Sequence, residues 1–114
     1  MHEFAIAEHL VTTVENAAKQ ASAEQVLRVH LALGVRSHVE LESLQWFFDQ
    51  LSQDGLAKGA VLVSKPLPMR FACDCCGSEY SVTGETFDCP YCYEVGKLID
   101  AGDDIRIDSL EVSP

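Results

Sequence analysis

Residues 73–92 read CDCCGSEYSVTGETFDCPYC, and the rest of the chain is organised around them. The stretch holds two Cys-x-x-Cys pairs, Cys73/Cys76 and Cys89/Cys92, separated by twelve residues with a turn signal at Val82-Thr83-Gly84-Glu85. Each pair puts two sulfurs on one side of a tight loop, and a hairpin between them would bring the second pair opposite the first. Four thiolates in that arrangement satisfy tetrahedral zinc and leave no open position, so the expected role is structural. Gly77 follows Cys76 where such a loop needs a residue tolerant of positive φ, and Pro90 stiffens the second loop. Tyr93 stands where a second glycine would suit, which predicts two unequal halves and a slightly distorted second loop. Cys75 is a fifth thiol at a poorer spacing and is expected to be a bystander.

The bulk properties bound the remainder. At 114 residues the chain holds one small core and a module too small to bury a core of its own, which the metal would staple. A hydrophobic content of 47% excludes wholesale disorder, and no apolar run reaches the ~18–20 residues needed to cross a bilayer. Glu3 and Glu8 lie where an export signal would be basic, so a reducing cytoplasmic setting is expected, in which paired cysteines bind metal in preference to forming disulfides. The net charge is −10, and a four-thiolate zinc site shifts it to about −12. Nucleic acid is thereby disfavoured, since the zinc stretch has no basic stripe; cations and basic proteins suit such a surface.

Apolar residues at Ile6, Leu10, Val14, Ala17 and Ala21, widened by Phe4 and Val11, predict a helix starting near residue 3 or 4. From Gln25 to Leu33 the period changes to two, with Leu27, Val29, Leu31 and Leu33 on the buried face of a strand and Arg28 and His30 opposite. Gly34 ends it. Ser37-His38-Val39-Glu40 reads as a capping box opening a second helix, with Leu41, Leu44, Phe48 and Leu51 inward, Phe47 alongside, Trp46 at the edge and Gly55 past the end. Ala60–Ser64 predicts a second strand, and Lys65-Pro66-Leu67-Pro68 a stiff connection to the cysteines. Beyond a linker flanked by Gly96 and Gly102, Ile105, Ile107, Leu110 and Val112 predict a third strand with a bulge at Asp108-Ser109. The expected fold is α+β: two helices on a small three-stranded sheet, formed by residues 1–69 plus 99–114, with a four-cysteine zinc-ribbon module inserted as residues 70–98.

Catalysis finds no support, because no phosphate loop or nucleophile motif is present. His30 and His38 read as surface residues, and His9 is two helical turns from His2. His2 differs. A bulky second residue protects Met1 from removal, so the Met1 amine, the His2 backbone nitrogen and His2 Nδ1 can close adjacent chelate rings, with the Glu3 amide or carboxylate as a fourth donor. Such a set favours square-planar Ni(II) or Cu(II) over zinc.

Met1-His2-Glu3 before a helix, then Cys73-x-x-Cys76-Gly77 and Cys89-Pro90-x-Cys92, then an alternating tail ending Leu110-Glu111-Val112, resembles the HypA/HybF family of hydrogenase nickel-incorporation proteins. The resemblance spans essentially the whole chain. It implies a nickel domain with an inserted zinc domain, His2 as nickel ligand with Glu3 beside it, and Ni(II) as transient cargo. It further implies delivery to the [NiFe]-hydrogenase large-subunit precursor and the GTPase HypB as partner. Some relatives add a histidine near the zinc module; this chain has none after His38, which leaves the fourth nickel donor open. The competing readings are a zinc-ribbon adaptor that docks proteins and a dithiol redox protein.

Overall fold

The computed structural model describes residues 2–114; Met1 lies outside the described residues, and His2 is described in its backbone alone. In chain order the elements are α1 (His2–Gln20), β1 (Gln25–Gly34), α2 (Leu41–Leu51), β2 (Val61–Leu67), β3 (Met69–Ala72), β4 (Glu79–Val82), β5 (Lys97–Asp100) and β6 (Ile105–Ser113). They form two three-stranded sheets, ordered β2-β1-β6 and β4-β3-β5. The α+β class with two helices and a three-stranded sheet is therefore as the periodicities predict, and β4-β3-β5 adds a second sheet. The chain divides into two compact units, one of residues 1–31, 39–65 and 107–114, the other of residues 32–38 and 66–106. The second takes in more chain than the 70–98 segment expected around the cysteines. No helix of the described residues is long and apolar enough to cross a membrane.

In the first unit Ala7, Leu10, Val14 and Ala18 of α1 bury against Leu44 and Phe48 of α2 and Val26, Val29, Leu31 and Leu62 of the sheet. The buried valine, leucine and phenylalanine side chains among these each contribute about 1.5–3 kcal/mol. The stripe on α1 precesses by one position from the expected one, with Ala18 buried in place of Ala17 and Ala21, and Phe4 remains 40% exposed against the edge of Phe47. The helix ends in a Schellman motif, Ala23 N–H donating to Ala18 O and Ser22 N–H to Lys19 O, with Ser22 at φ 56° as the left-handed residue. Glu15, on the flank of α1, accepts hydrogen bonds from the backbone N–H groups of Leu56 and Ala57 at 3.0 and 2.8 Å. That carboxylate fills the space in front of Gly55, so the glycine's small size admits Glu15 as well as following the helix.

Several sequence expectations are corrected. In β1 both Leu27 and Arg28 are exposed and Val26 is buried, so the inward face is Val26, Val29 and Leu31; Val26 N–H is bonded to Leu56 O, which fixes the phase at the start of the strand. The capping box does not form. His38 sits at φ 59°, a left-handed conformation that helix cannot continue through, and α2 begins at Leu41 behind an extended Glu40 without a side-chain cap. Pro66 is not part of a connection but lies within β2, an outer strand where a missing N–H breaks no ladder. The expected 96–102 linker contains β5, whose exposed Leu98 and Ile99 show no alternation to reveal it. In β6 the exposed pair Asp108 and Ser109 separates Ile107 and Leu110, which both pack on the core, as the phase slip predicts; Val112, at 37% exposure, does not join them.

Candidate metal centre

The second unit is built around β3. Phe71 and its antiparallel neighbour Tyr80 on β4 stack with centroids 5.4 Å apart, and Phe87 stacks on Phe71 at 5.8 Å. The Tyr80 hydroxyl donates to Phe87 O at 2.6 Å and accepts from Gly96 N–H at 2.9 Å, tying the chain before the second cysteine pair to the chain after it. Gly96 has no room for a Cβ, which would meet the Ala72 carbonyl at the end of β3. Arg36, from residues 32–38, lies over the Phe87 ring at 5.6 Å and donates to Gly84 O at 3.0 Å.

On this frame the two Cys-x-x-Cys loops repeat one hydrogen-bond scheme. Gly77 N–H donates to Cys73 O at 2.9 Å and Cys73 N–H to Ser78 O at 2.8 Å; in the second loop Tyr93 N–H donates to Cys89 O and Cys89 N–H to Glu94 O, both at 2.8 Å. Gly77 has φ 73° and Tyr93 φ 64°. The expected inequality of the loops is thus absent from the backbone: Tyr93 adopts the glycine conformation, at a cost on the order of 1–3 kcal/mol. Between the loops only β4 forms a ladder, and an isolated Asp88–Val95 bridge closes the base of the second knuckle.

The sulfurs of Cys73, Cys76, Cys89 and Cys92 all lie within 4.8 Å of one another, with Cys73–Cys92 at 3.1 Å and Cys76–Cys89 at 3.7 Å. Thiolates around zinc, each about 2.3 Å from the ion, stand about 3.8 Å apart, so the donor type, number and spacing fit that ion. The electrostatics agree. The Ser78 hydroxyl and backbone hold the Cys76 thiol down at about 6. The Glu94 backbone pulls Cys92 the same way, but the adjacent Cys73 and Cys89 thiols and partial burial together push it up to about 12. Four clustered thiols ionise together only around a cation, which supplies the missing positive charge. Cys75 is exposed and outside the cluster.

Of the other sequence candidates, Glu3, His9 and His30 fall in the first unit. Glu3 is half-buried in the first turn of α1; Met1 and the His2 side chain lie outside the described residues. His9 is exposed on α1, and His30 pairs with Glu111 at 2.5 Å. His38 belongs to a loop of the second unit and not to a helix. Sequence reasoning missed Tyr80, Ser78 and Arg36. Alternation marks Tyr80 as inward, but its hydroxyl partners, like Arg36's, come from residues brought near only by folding.

A model of the family described as "Hydrogenase/urease nickel incorporation, metallochaperone, hypA" matches residues 1–112. The hydrogenase maturation factor HypA of Dehalococcoides mccartyi is 37% identical over 112 residues, covering 98% of this chain and 94% of that one. That of Caldanaerobacter subterraneus is 34% identical over 113 residues, covering 98% and 99%. The fold is similar to the solution structure of the Ni metallochaperone HypA from Helicobacter pylori, with a TM-score of 0.68, 23% identity and 97% of each chain covered. With the family match spanning the cysteine cluster and both compact units, this chain belongs to the HypA family of hydrogenase/urease nickel-incorporation metallochaperones.

Proposed function

We propose that the protein is a nickel metallochaperone that receives Ni(II) at the N-terminal end of α1 and hands it to the [NiFe]-hydrogenase large-subunit precursor, with the GTPase HypB as its partner in the cytoplasm. The observation that carries this reading is the family match over residues 1–112. In it the first compact unit holds the nickel site and the second holds a resident structural zinc on Cys73, Cys76, Cys89 and Cys92. The protein acts by binding and release, not by catalysis. A single cluster of four sulfurs supports one closed metal site over two separate redox dithiols.

The nickel donors are His2, the Met1 amine and Glu3. Helix geometry supports them: α1 begins at His2, so the backbone N–H groups of His2 and Glu3 have no partner within the helix. The positive end of the helix dipole also favours their deprotonated form as amide donors. Titration of zinc-loaded, untagged protein with nickel tests the reading. One specific Ni(II) should bind per chain, and His2→Ala should abolish it while zinc content and helix signal stay intact. Full-strength nickel binding by His2→Ala would overturn the assignment and favour the zinc-ribbon adaptor. Imidazole ligation also requires nickel release as pH falls through about 6.5.

A further inference from the structure

The second knuckle carries side chains that neither the metal nor the core requires. Tyr91, Tyr93 and Val95 are 73%, 76% and 66% exposed, within the eight residues closed at their base by the Asp88–Val95 bridge. The first knuckle has the same hydrogen bonds and the same left-handed residue, yet there it is Gly77, flanked by Cys76 and Ser78. Glycine holds φ near +70° without steric penalty, whereas Tyr93 holds it under strain. A strained, exposed aromatic at a position that metal binding would fill with glycine contributes through what it meets outside the chain.

The chemistry of that contact follows from charge. Residues 71–96 contain no lysine or arginine but carry Asp74, Glu79, Glu85, Asp88 and Glu94, of which Asp88 and Glu94 belong to the same knuckle as the tyrosines. Phenol rings beside carboxylates accept a cation over the ring face and pair its charge at the rim. The unit already uses half of this chemistry internally, where the Arg36 guanidinium lies over Phe87. Phosphate-bearing partners are repelled, and a second copy would bring like charges together. We infer that the Asp88–Val95 knuckle is a docking surface for an arginine- or lysine-bearing segment of a partner protein, with Tyr91 and Tyr93 as its anchors. This surface is independent of the N-terminal nickel donors.

The experiment uses the zinc-loaded full chain and a short fluorescein-labelled peptide of alternating arginine and leucine, read by anisotropy, beside the same peptide with glutamate for arginine. Wild type should bind the arginine peptide and not the glutamate one. Tyr91→Ser/Tyr93→Gly, which changes no charge and restores glycine to the left-handed position, should bind about tenfold more weakly, the loss expected of two exposed cation–π contacts. Trp46→Ala, in the other unit, should bind as wild type. Amide chemical-shift changes on titrating wild type should concentrate in residues 87–96, a readout that needs no variant to fold. Equal binding by the tyrosine variant, a comparable loss in Trp46→Ala, or shifts centred elsewhere would overturn the proposal. So would concentration-dependent self-association of wild type that Tyr93→Gly abolishes, which would assign the knuckle to a second copy.

Discussion

Replacing Tyr80 with phenylalanine removes one oxygen and leaves the stack on Phe71 intact. That oxygen donates to Phe87 O at 2.6 Å and accepts from Gly96 N–H at 2.9 Å, and Tyr80 is only 7% exposed. Each deserted backbone group costs about 1–3 kcal/mol when water cannot replace the partner. Phe87 is 36% exposed, so water can partly re-satisfy its carbonyl, and the lower end of that range applies to it. Gly96 is itself only half-buried, so the lower end applies to both groups and the total comes to about 2 kcal/mol. Where folding of a small metal module is coupled to metal binding, that loss appears in the metal affinity, and 1.4 kcal/mol per tenfold makes it about thirtyfold. Competition of the protein against a chromophoric chelator for zinc gives the ratio for wild type and Tyr80→Phe directly. The helix signal should not change, since Tyr80 belongs to the other compact unit. A zinc affinity within threefold of wild type would show instead that the metal alone holds residues 87 and 96 in place.

Cys76→Ala removes one of the four clustered sulfurs and should lose zinc while α1 and α2 persist, whereas exposed Cys75→Ser should keep one zinc per chain; elemental analysis separates them. Gly34→Ala would drive a Cβ to 2.6 Å from the Gly102 carbonyl carbon and 2.8 Å from Asp104 N, a backbone clash worth about 1–3 kcal/mol, seen as a lower Tm. Glu111 has its pKa lowered by the hydrogen bond from His30 and then by Arg28, so the stability it contributes is present above its ordinary value of 4.5 and is lost as pH falls through the depressed folded value. Followed by far-ultraviolet circular dichroism, Glu111→Gln should therefore melt below wild type at neutral pH and converge with it in acid.

Much of this architecture was legible in the residues. The four-sulfur cluster was readable because Cys-x-x-Cys is a local loop geometry that needs only a second copy nearby. α1, the centre of α2 and the strands β1 and β6 were readable because burial imposes its period on neighbours in sequence. Where helix α2 begins was not: Ser37 and Glu40 have the right spacing for a cap, yet Val35, Arg36 and Ser37 are held by backbone bonds to or from Leu67, Gly102 and Gly34, and those contacts commit the segment to a loop. Pro66 reads as part of a connection until β2 proves to be an outer strand that can hold it. β5 exists because β3 offers it an edge, with Phe71 opposite Leu98 and Ala72 opposite Lys97, a pairing that leaves no periodic mark on two exposed apolar residues. Tyr93 could be read as a missing glycine but not as a residue holding the glycine conformation, because that conformation is imposed by its bond to Cys89 O and by the Asp88–Val95 bridge. Spacing and period are properties of residues near one another in the chain, so they can be read before it folds. The start of α2, the edges of the sheets and the clamps around the cysteines depend on partners that folding brings together, from Phe87, seven residues from Tyr80, to Glu111, 83 residues from Arg28, and they follow from tertiary packing.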